Sequence, residues 1–271
     1  MNPIRLLRLR GLALTVVALL ATLFGAASAS AASANASGGA YAALGDSYSS
    51  GYGASSTYID STCDTSTAAY GYLYAQATSP SSFDFAACAG AVTTDVIDNQ
   101  LGGLNSSTAL VSMTIGGNDV GFSNVMQTCL LSSDATCLSA VATAESTAQN
   151  QLPAKLDTTY SDIRQAAPNA HVVILGYPEF YDRGQSSCSD TMDATKRTAL
   201  DNGSDLLDNV IQTEVAKYSG FTYEDVRSRF AGHEICDSTP WINNWYDFGG
   251  AYHPSAAGQA NAYLPGLEAG V

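Results

Sequence analysis

The sequence predicts one doubly wound α/β domain, a three-layer α/β/α sandwich around a five-stranded parallel sheet. Three observations predict it. Short apolar runs rich in strand-forming residues alternate with longer helical stretches five times over, which is the pattern of a parallel sheet covered on both faces. The chain of 271 residues is 46% apolar, enough for a large core and too much for a disordered acidic segment. No internal repeat or late linker divides it into a second unit.

The first 29 residues stand apart from this pattern. Arg5, Arg8 and Arg10 precede an uncharged apolar run from Leu12 to Phe24, and small residues follow, including Ala27-Ser28-Ala29. A basic start, a short apolar core and an A-x-A site are the marks of a secretory signal peptide. A transmembrane anchor is the rival reading, because Gly11 to Ala29 is just long enough to span a bilayer. The shortness of the run and its decay into Ala and Ser favour the signal over residues 1–29, and therefore an extracellular protein. Residues 30–39 (SAASANASGG) then read as a flexible leader, and 40–271 as the single domain. Without Arg5, Arg8 and Arg10 the chain keeps 8 basic against 25 acidic residues. Such a surface repels phosphate, which argues against nucleic acid and anionic membranes as partners. A monomer with no stable membrane insertion is expected.

Within the domain, Ala40–Gly45 reads as the first strand and Ala68–Thr78 as a helix. Phe83–Cys88 is the second strand, Thr94–Leu101 a short helix and Leu110–Gly116 the third strand. A mostly helical region runs from about Asp134 to Ala167, interrupted at Pro153. His171–Gly176 is the fourth strand, and a helix follows from about Asp190 to Tyr218. In that helix Leu207, Val210, Ile211, Val215 and Tyr218 share one face. Phe221–Val226 is the fifth strand, and Ser255–Leu264 closes the chain as a helix.

Six cysteines lie beyond the leader: Cys63, Cys88, Cys129, Cys137, Cys188 and Cys236. An even count in an exported chain reads as three disulfides. Fifteen pairings are open from the sequence, and consecutive pairing (Cys63–Cys88, Cys129–Cys137, Cys188–Cys236) is the expectation. No C-x-x-C spacing suggests a metal site, and HExxH, Ca²⁺-loop, GxGxxG and P-loop motifs are absent. No cofactor or metal is expected.

Ligands of open α/β sheets bind outside the carboxyl ends of the strands. Past the first strand comes Gly45-Asp46-Ser47-Tyr48-Ser49-Ser50-Gly51, and past the second Cys88-Ala89-Gly90-Ala91. Past the third comes Gly116-Gly117-Asn118-Asp119, and beyond the fifth Tyr252-His253-Pro254. Each block has a plainer reading: Ser47 or His253 as a helix cap, Gly90 or Gly116-Gly117-Asn118-Asp119 as turns. Taken together at successive strand ends, they supply a nucleophile, a base and oxyanion donors, the parts needed for acyl transfer.

The blocks GDSYSSG (45–51), CAGAVTTD (88–95), IGGND (115–119) and YHPSAAGQ (252–259) resemble the SGNH, or GDSL, hydrolases. The likeness runs from Tyr41 to about Leu264, and the wording is most similar to secreted actinomycete lipases and esterases. It implies a flavodoxin-like strand order and ester hydrolysis through a serine. It also implies Ser47 as nucleophile, His253 as base, and an oxyanion hole from Ser47 N–H, Gly90 N–H and the Asn118 side chain. The same likeness implies consecutive pairing of the six cysteines.

The pattern departs from the family at one point. An acid usually stands three residues before the histidine, and here that position is Gly250. Either a main-chain carbonyl near Gly250 orients His253, leaving a Ser–His dyad, or Asp247 folds back to do so. The carbonyl is the preferred reading, because orientation and tautomer are what the base chiefly needs. His171 is placed at the wrong end of its strand, and His233 is read as structural. Asp46 and Asp119 are read as braces for the site loops.

Aromatic residues after the fourth and fifth strands (Tyr177, Phe180, Tyr181, Trp241, Trp245, Tyr246) suit either an acyl groove or the edge of the core. The expected function is a secreted serine ester hydrolase acting on lipid esters, with lipase, broad esterase and phospholipase activities all open. The alternatives are an extracellular polysaccharide deacetylase of the same fold and a non-catalytic surface-binding module.

Overall fold

The computed structural model describes residues 38–184, 188, 192–247 and 249–271. The expected signal peptide and most of the leader lie outside them. Five strands, β1 (Ala40–Gly45), β2 (Phe83–Phe85), β3 (Thr108–Thr114), β4 (His171–Leu175) and β5 (Phe221–Glu224), form one sheet. Its order is β2-β1-β3-β4-β5 and every neighbouring pair is parallel. This is the predicted flavodoxin-like α/β fold.

Alternation is muted in the central strands because both faces are covered. In β1, β3 and β4 nearly every side chain is buried, as a sheet between two helical layers requires. The edge strands β2 and β5 are only half-buried along their length. Strand β2 is shorter than expected. Its continuation bends as Ala86 and Ala87 N–H both donate to Ala43 O, and the Cys63–Cys88 disulfide holds the bend.

The helices are α1 (Ser47–Ser50), α2 (Tyr70–Thr78), α3 (Thr93–Asp95), α4 (Phe122–Leu131), α5 (Asp134–Asn150), α6 (Leu152–Ala166), α7 (Ala194–Val215), α8 (Arg227–Phe230), α9 (Ala256–Gly258) and α10 (Leu264–Gly270). Two π-helical turns, Val96–Gln100 and Gln259–Tyr263, extend α3 and join α9 to α10. The predicted long helical region is two helices. Its break falls at Gln151, and Pro153 sits in the first turn of α6, where a missing N–H costs nothing. The last helix runs past its expected end to Gly270, again with a proline in a first turn.

The helix expected from about Asp190 to Tyr218 is shorter, Ala194–Val215. On it Leu207, Ile211 and Val215 are buried and Val210 half-buried, the apolar face expected from the spacing, while half-buried Tyr218 lies in the turn beyond its end. Disulfides join Cys63–Cys88, Cys129–Cys137 and Cys188–Cys236. Among the described residues no helix is long and apolar enough to cross a membrane.

Candidate active site

Strand order reverses between β1 and β3, so the loops leaving their carboxyl ends diverge and open a crevice there. Ser47 enters the crevice from β1. Gly45, at φ +113°, ends the strand. A side chain there would strike Thr114 O, so the tight passage into α1 requires glycine. Asp46 caps α1 by accepting from Tyr48 N.

His253 arrives from the opposite end of the sequence and meets Ser47. Its Nε2 lies 2.8 Å from Ser47 Oγ, and its Nδ1 lies 2.8 Å from Ala251 O. A carbonyl only accepts, so Nδ1 carries the proton and Nε2 presents its lone pair to the serine hydroxyl. The ring is packed between Tyr48 and Tyr52, at centroid distances of 5.0 and 4.9 Å. Tyr48 also donates its hydroxyl to Tyr252 O at 2.6 Å, tying the residue after the serine to the residue before the histidine.

The orienting acceptor is therefore Ala251, not Gly250 or Asp247. Gly250 O is turned inward, accepting from His253 N at 3.0 Å and from Asn243 Nδ2 at 3.2 Å. Asp247 is exposed and its carboxylate accepts from Asn244 N at 2.7 Å. Asn243 also donates to Gly53 O, and a Cβ on Gly53 or Gly250 would collide with the other's backbone. That close approach fixes the turn on which His253 rides. Asp247→Asn is accordingly expected to change kcat/KM on a p-nitrophenyl ester by less than about threefold, because the loop bond it makes is exposed. A loss of 100-fold with an intact fold would return the orienting role to Asp247.

The Ser47 and Gly90 N–H groups donate to no other described residue. Gly90 holds φ +84° in the loop after β2, a left-handed conformation that suits glycine. Asn118, in the loop after β3, donates from Nδ2 to Ala91 O at 3.0 Å, next to Gly90. Ser47 and His253 thus meet directly, and Asn118 bonds the residue after Gly90, with Ser47, Gly90 and Asn118 all on loops that leave the carboxyl ends of β1, β2 and β3.

The two aspartates work as braces. Asp119 accepts from Thr93 N and Thr93 Oγ1 at 2.9 and 2.8 Å and pairs with Lys155 at 3.0 Å. It thereby locks the Asn118 loop to α3. Asp46 accepts from Thr114 Oγ1 at 2.7 Å and from Tyr177 OH at 2.5 Å. Tyr177 OH in turn accepts from Gly117 N at 3.1 Å. A relay from the Ser47 turn to the Asn118 loop results, through a tyrosine 131 residues away in sequence from Asp46. His171 bonds Gly270 O at 2.7 Å at the start of β4. His233 stacks flat on Trp241 with centroids 3.6 Å apart and bonds Thr239 O. Neither belongs to the site. Of the candidate aromatics, Tyr177, Phe180 and Tyr181 are buried, whereas Tyr246 is exposed.

Burial governs the ionisation of these groups. It lowers the His253 pKa to about 4, with the Ala251 bond opposing, and raises that of Asp46 to about 6 against the Tyr177 and Thr114 bonds. Burial also raises Asp201 and Asp208, which hold the loop after β4, to about 7. A base must be neutral to act, so kcat/KM is expected to hold from neutral pH to about pH 5 and to fall below about pH 4. Stability has its own sign. Unfolded His253 takes up a proton between about pH 6.5 and 4 while the folded ring stays neutral, so its contribution is lost as pH falls through that window. The three aspartates keep protons in the fold that the unfolded chain releases above about pH 4, so their contribution is lost as pH rises to 6–7. Three groups outweigh one, and the melting temperature is expected to be higher at pH 5 than at pH 8. Calorimetry showing the reverse order overturns this balance.

Comparison with known proteins agrees with the geometry. Residues 43–260 match the model of the GDSL-like lipase/acylhydrolase family. Lipase 1 of Streptomyces coelicolor is 52% identical over 257 residues, covering 93% of this chain and 94% of that protein. The crystal structure of phospholipase A1 from Streptomyces albidoflavus superposes with a TM-score of 0.82 at 48% identity, covering 86% of this chain and 100% of the other. The extracellular lipase from Streptomyces rimosus gives the same TM-score, 0.82, at 43% identity and the same coverage, 86% and 100%. A family match from within β1 into the closing helices, and relatives this similar along nearly their whole length, establish that the chain belongs to the GDSL-like lipase/acylhydrolase family.

Proposed function

We propose that this protein is a secreted serine lipase/esterase that cleaves carboxylic esters of lipids through an acyl-enzyme on Ser47. The observation that carries the reading is the Ser47 Oγ–His253 Nε2 contact of 2.8 Å, with Nδ1 held by Ala251 O. Ser47 Oγ attacks the ester carbonyl carbon as its proton passes to Nε2. The negative oxygen of the tetrahedral intermediate is met by Ser47 N–H, Gly90 N–H and Asn118 Nδ2. The intermediate collapses, the C–O bond to the alcohol breaks, and His253 returns the proton to the leaving alkoxide. Water then repeats the cycle, releasing the carboxylic acid and free Ser47.

The lipid substrate class is supported by the names of the relatives, lipase and phospholipase A1, at 43–52% identity. These relatives do not favour the polysaccharide deacetylase or the binding module. Secretion is supported by the signal-like residues 1–29, by three disulfides and by the extracellular relative.

The test is labelling of Ser47 by a fluorophosphonate probe alongside hydrolysis of p-nitrophenyl esters from acetyl to palmitoyl. Labelling at Ser47 with turnover of these esters is the expected result. An unlabelled Ser47 with no turnover at any chain length overturns the assignment.

A further inference from the structure

An apolar cavity of about 60 Å³ lies between α4, α5 and α7. One end is walled by Gly117, Tyr177 and Phe180, and the far side by Val141 and Gly203. Glu145, half-buried on α5, alone carries a charge among its described lining residues. The near end adjoins the loops that carry the active site. Gly117 precedes Asn118, Tyr177 packs on Tyr48 with centroids 5.1 Å apart, and Phe180 packs on Tyr252 at 6.1 Å. Tyr48 follows the nucleophile and Tyr252 precedes the base.

Gly203 supplies an independent observation. It stands in the middle of the 22-residue helix α7, where glycine weakens a helix relative to alanine. No backbone demand explains it, because its φ is not in the left-handed region. No close packing explains it either. A Cβ there would meet only Val141 Cγ1, at an ordinary 3.6 Å. What the missing side chain does is leave the cavity open.

Building on the proposed Ser47 esterase, we infer that this cavity receives the acyl chain of the substrate and that Gly203 sets the length it accepts. Its volume has room for roughly four to six water-sized groups, and a methylene is of similar size. The fitting ligand is a medium-length, unbranched acyl chain. An apolar lining rewards each methylene removed from water by roughly fourfold in affinity, and it offers nothing to a sugar or a charged acyl group.

The experiment compares p-nitrophenyl acetate, octanoate and decanoate in the wild type, Gly203→Leu and Val141→Ala. Leucine at 203 fills the space of at least two methylenes, so the octanoate-to-acetate ratio of kcat/KM is expected to fall about tenfold or more. Val141→Ala widens the same wall and is expected to move the preference toward decanoate. It also keeps the test decisive if the leucine variant fails to fold. An unchanged octanoate-to-acetate ratio in folded Gly203→Leu, or an unchanged decanoate-to-octanoate ratio in Val141→Ala, overturns the assignment of the cavity while leaving the Ser47 chemistry intact. Failure of the esterase reading looks different: the wild type turns over neither ester and Ser47 goes unlabelled, and the cavity loses its assignment with it.

Discussion

Ser47→Ala is expected to lower kcat on p-nitrophenyl esters by about 10⁴- to 10⁶-fold, and His253→Ala to do the same. The two side chains form one chemical unit. Without the imidazole the hydroxyl has no acceptor for its proton, and without the hydroxyl the imidazole has nothing to activate. The double variant is therefore expected to lose no more than either single one. Single-turnover kinetics, with circular dichroism as a check on folding, measure this directly. Losses that multiply in the double variant would mean independent roles, and the dyad would have to be abandoned.

Asn118→Ala carries the second largest effect. The amide is the only side chain among the three proposed oxyanion donors, so it is the one that mutation can remove. A loss of about 10²- to 10³-fold in kcat, with KM little changed, is expected for a donor that acts on the transition state. In the resting site the same Nδ2 donates to Ala91 O at 3.0 Å. The amide is thus already aimed across the crevice toward the Gly90 loop, and the developing oxyanion strengthens an arrangement that exists beforehand. Steady-state kinetics separate the two parameters. A rise in KM with kcat preserved would make Asn118 a substrate-binding group instead.

The sheet was legible because its signal is local. Each strand is a short apolar run between turn residues, and the observed bounds of β1 are those read from the sequence, Ala40–Gly45. Helix α4 was missed for an equally local reason. Its start at Gly121 has no side-chain cap, and its sequence FSNVMQTCLL mixes Ser, Asn, Thr and Cys among its apolar positions. Tertiary features hold it instead: the Cys129–Cys137 disulfide and the burial of Met126 and Cys129.

The site divides along the same line. Ser47, Asn118 and His253 are visible because the roles proposed for them require particular side chains, and Gly90 because its φ favours glycine. Tyr177 and Asn243 were not recognised as site braces, since each acts on a loop distant in sequence and neither residue type is unusual where it stands. The Ala251 acceptor was narrowed to a neighbourhood and no further. Every residue has a carbonyl, and which one faces the ring depends on the turn.

That turn has an evolutionary consequence. An orienting carboxylate is lost by one substitution, but a main-chain carbonyl belongs to whatever residue stands at 251 and survives any exchange that keeps the loop's shape. Selection on the base is thereby displaced onto residues with no reactive group: Gly53 and Gly250, whose backbones touch, and Tyr252, held at φ +63°. Drift at Ala251 itself leaves the carbonyl in place, and the cost of error falls on the three residues that shape its turn.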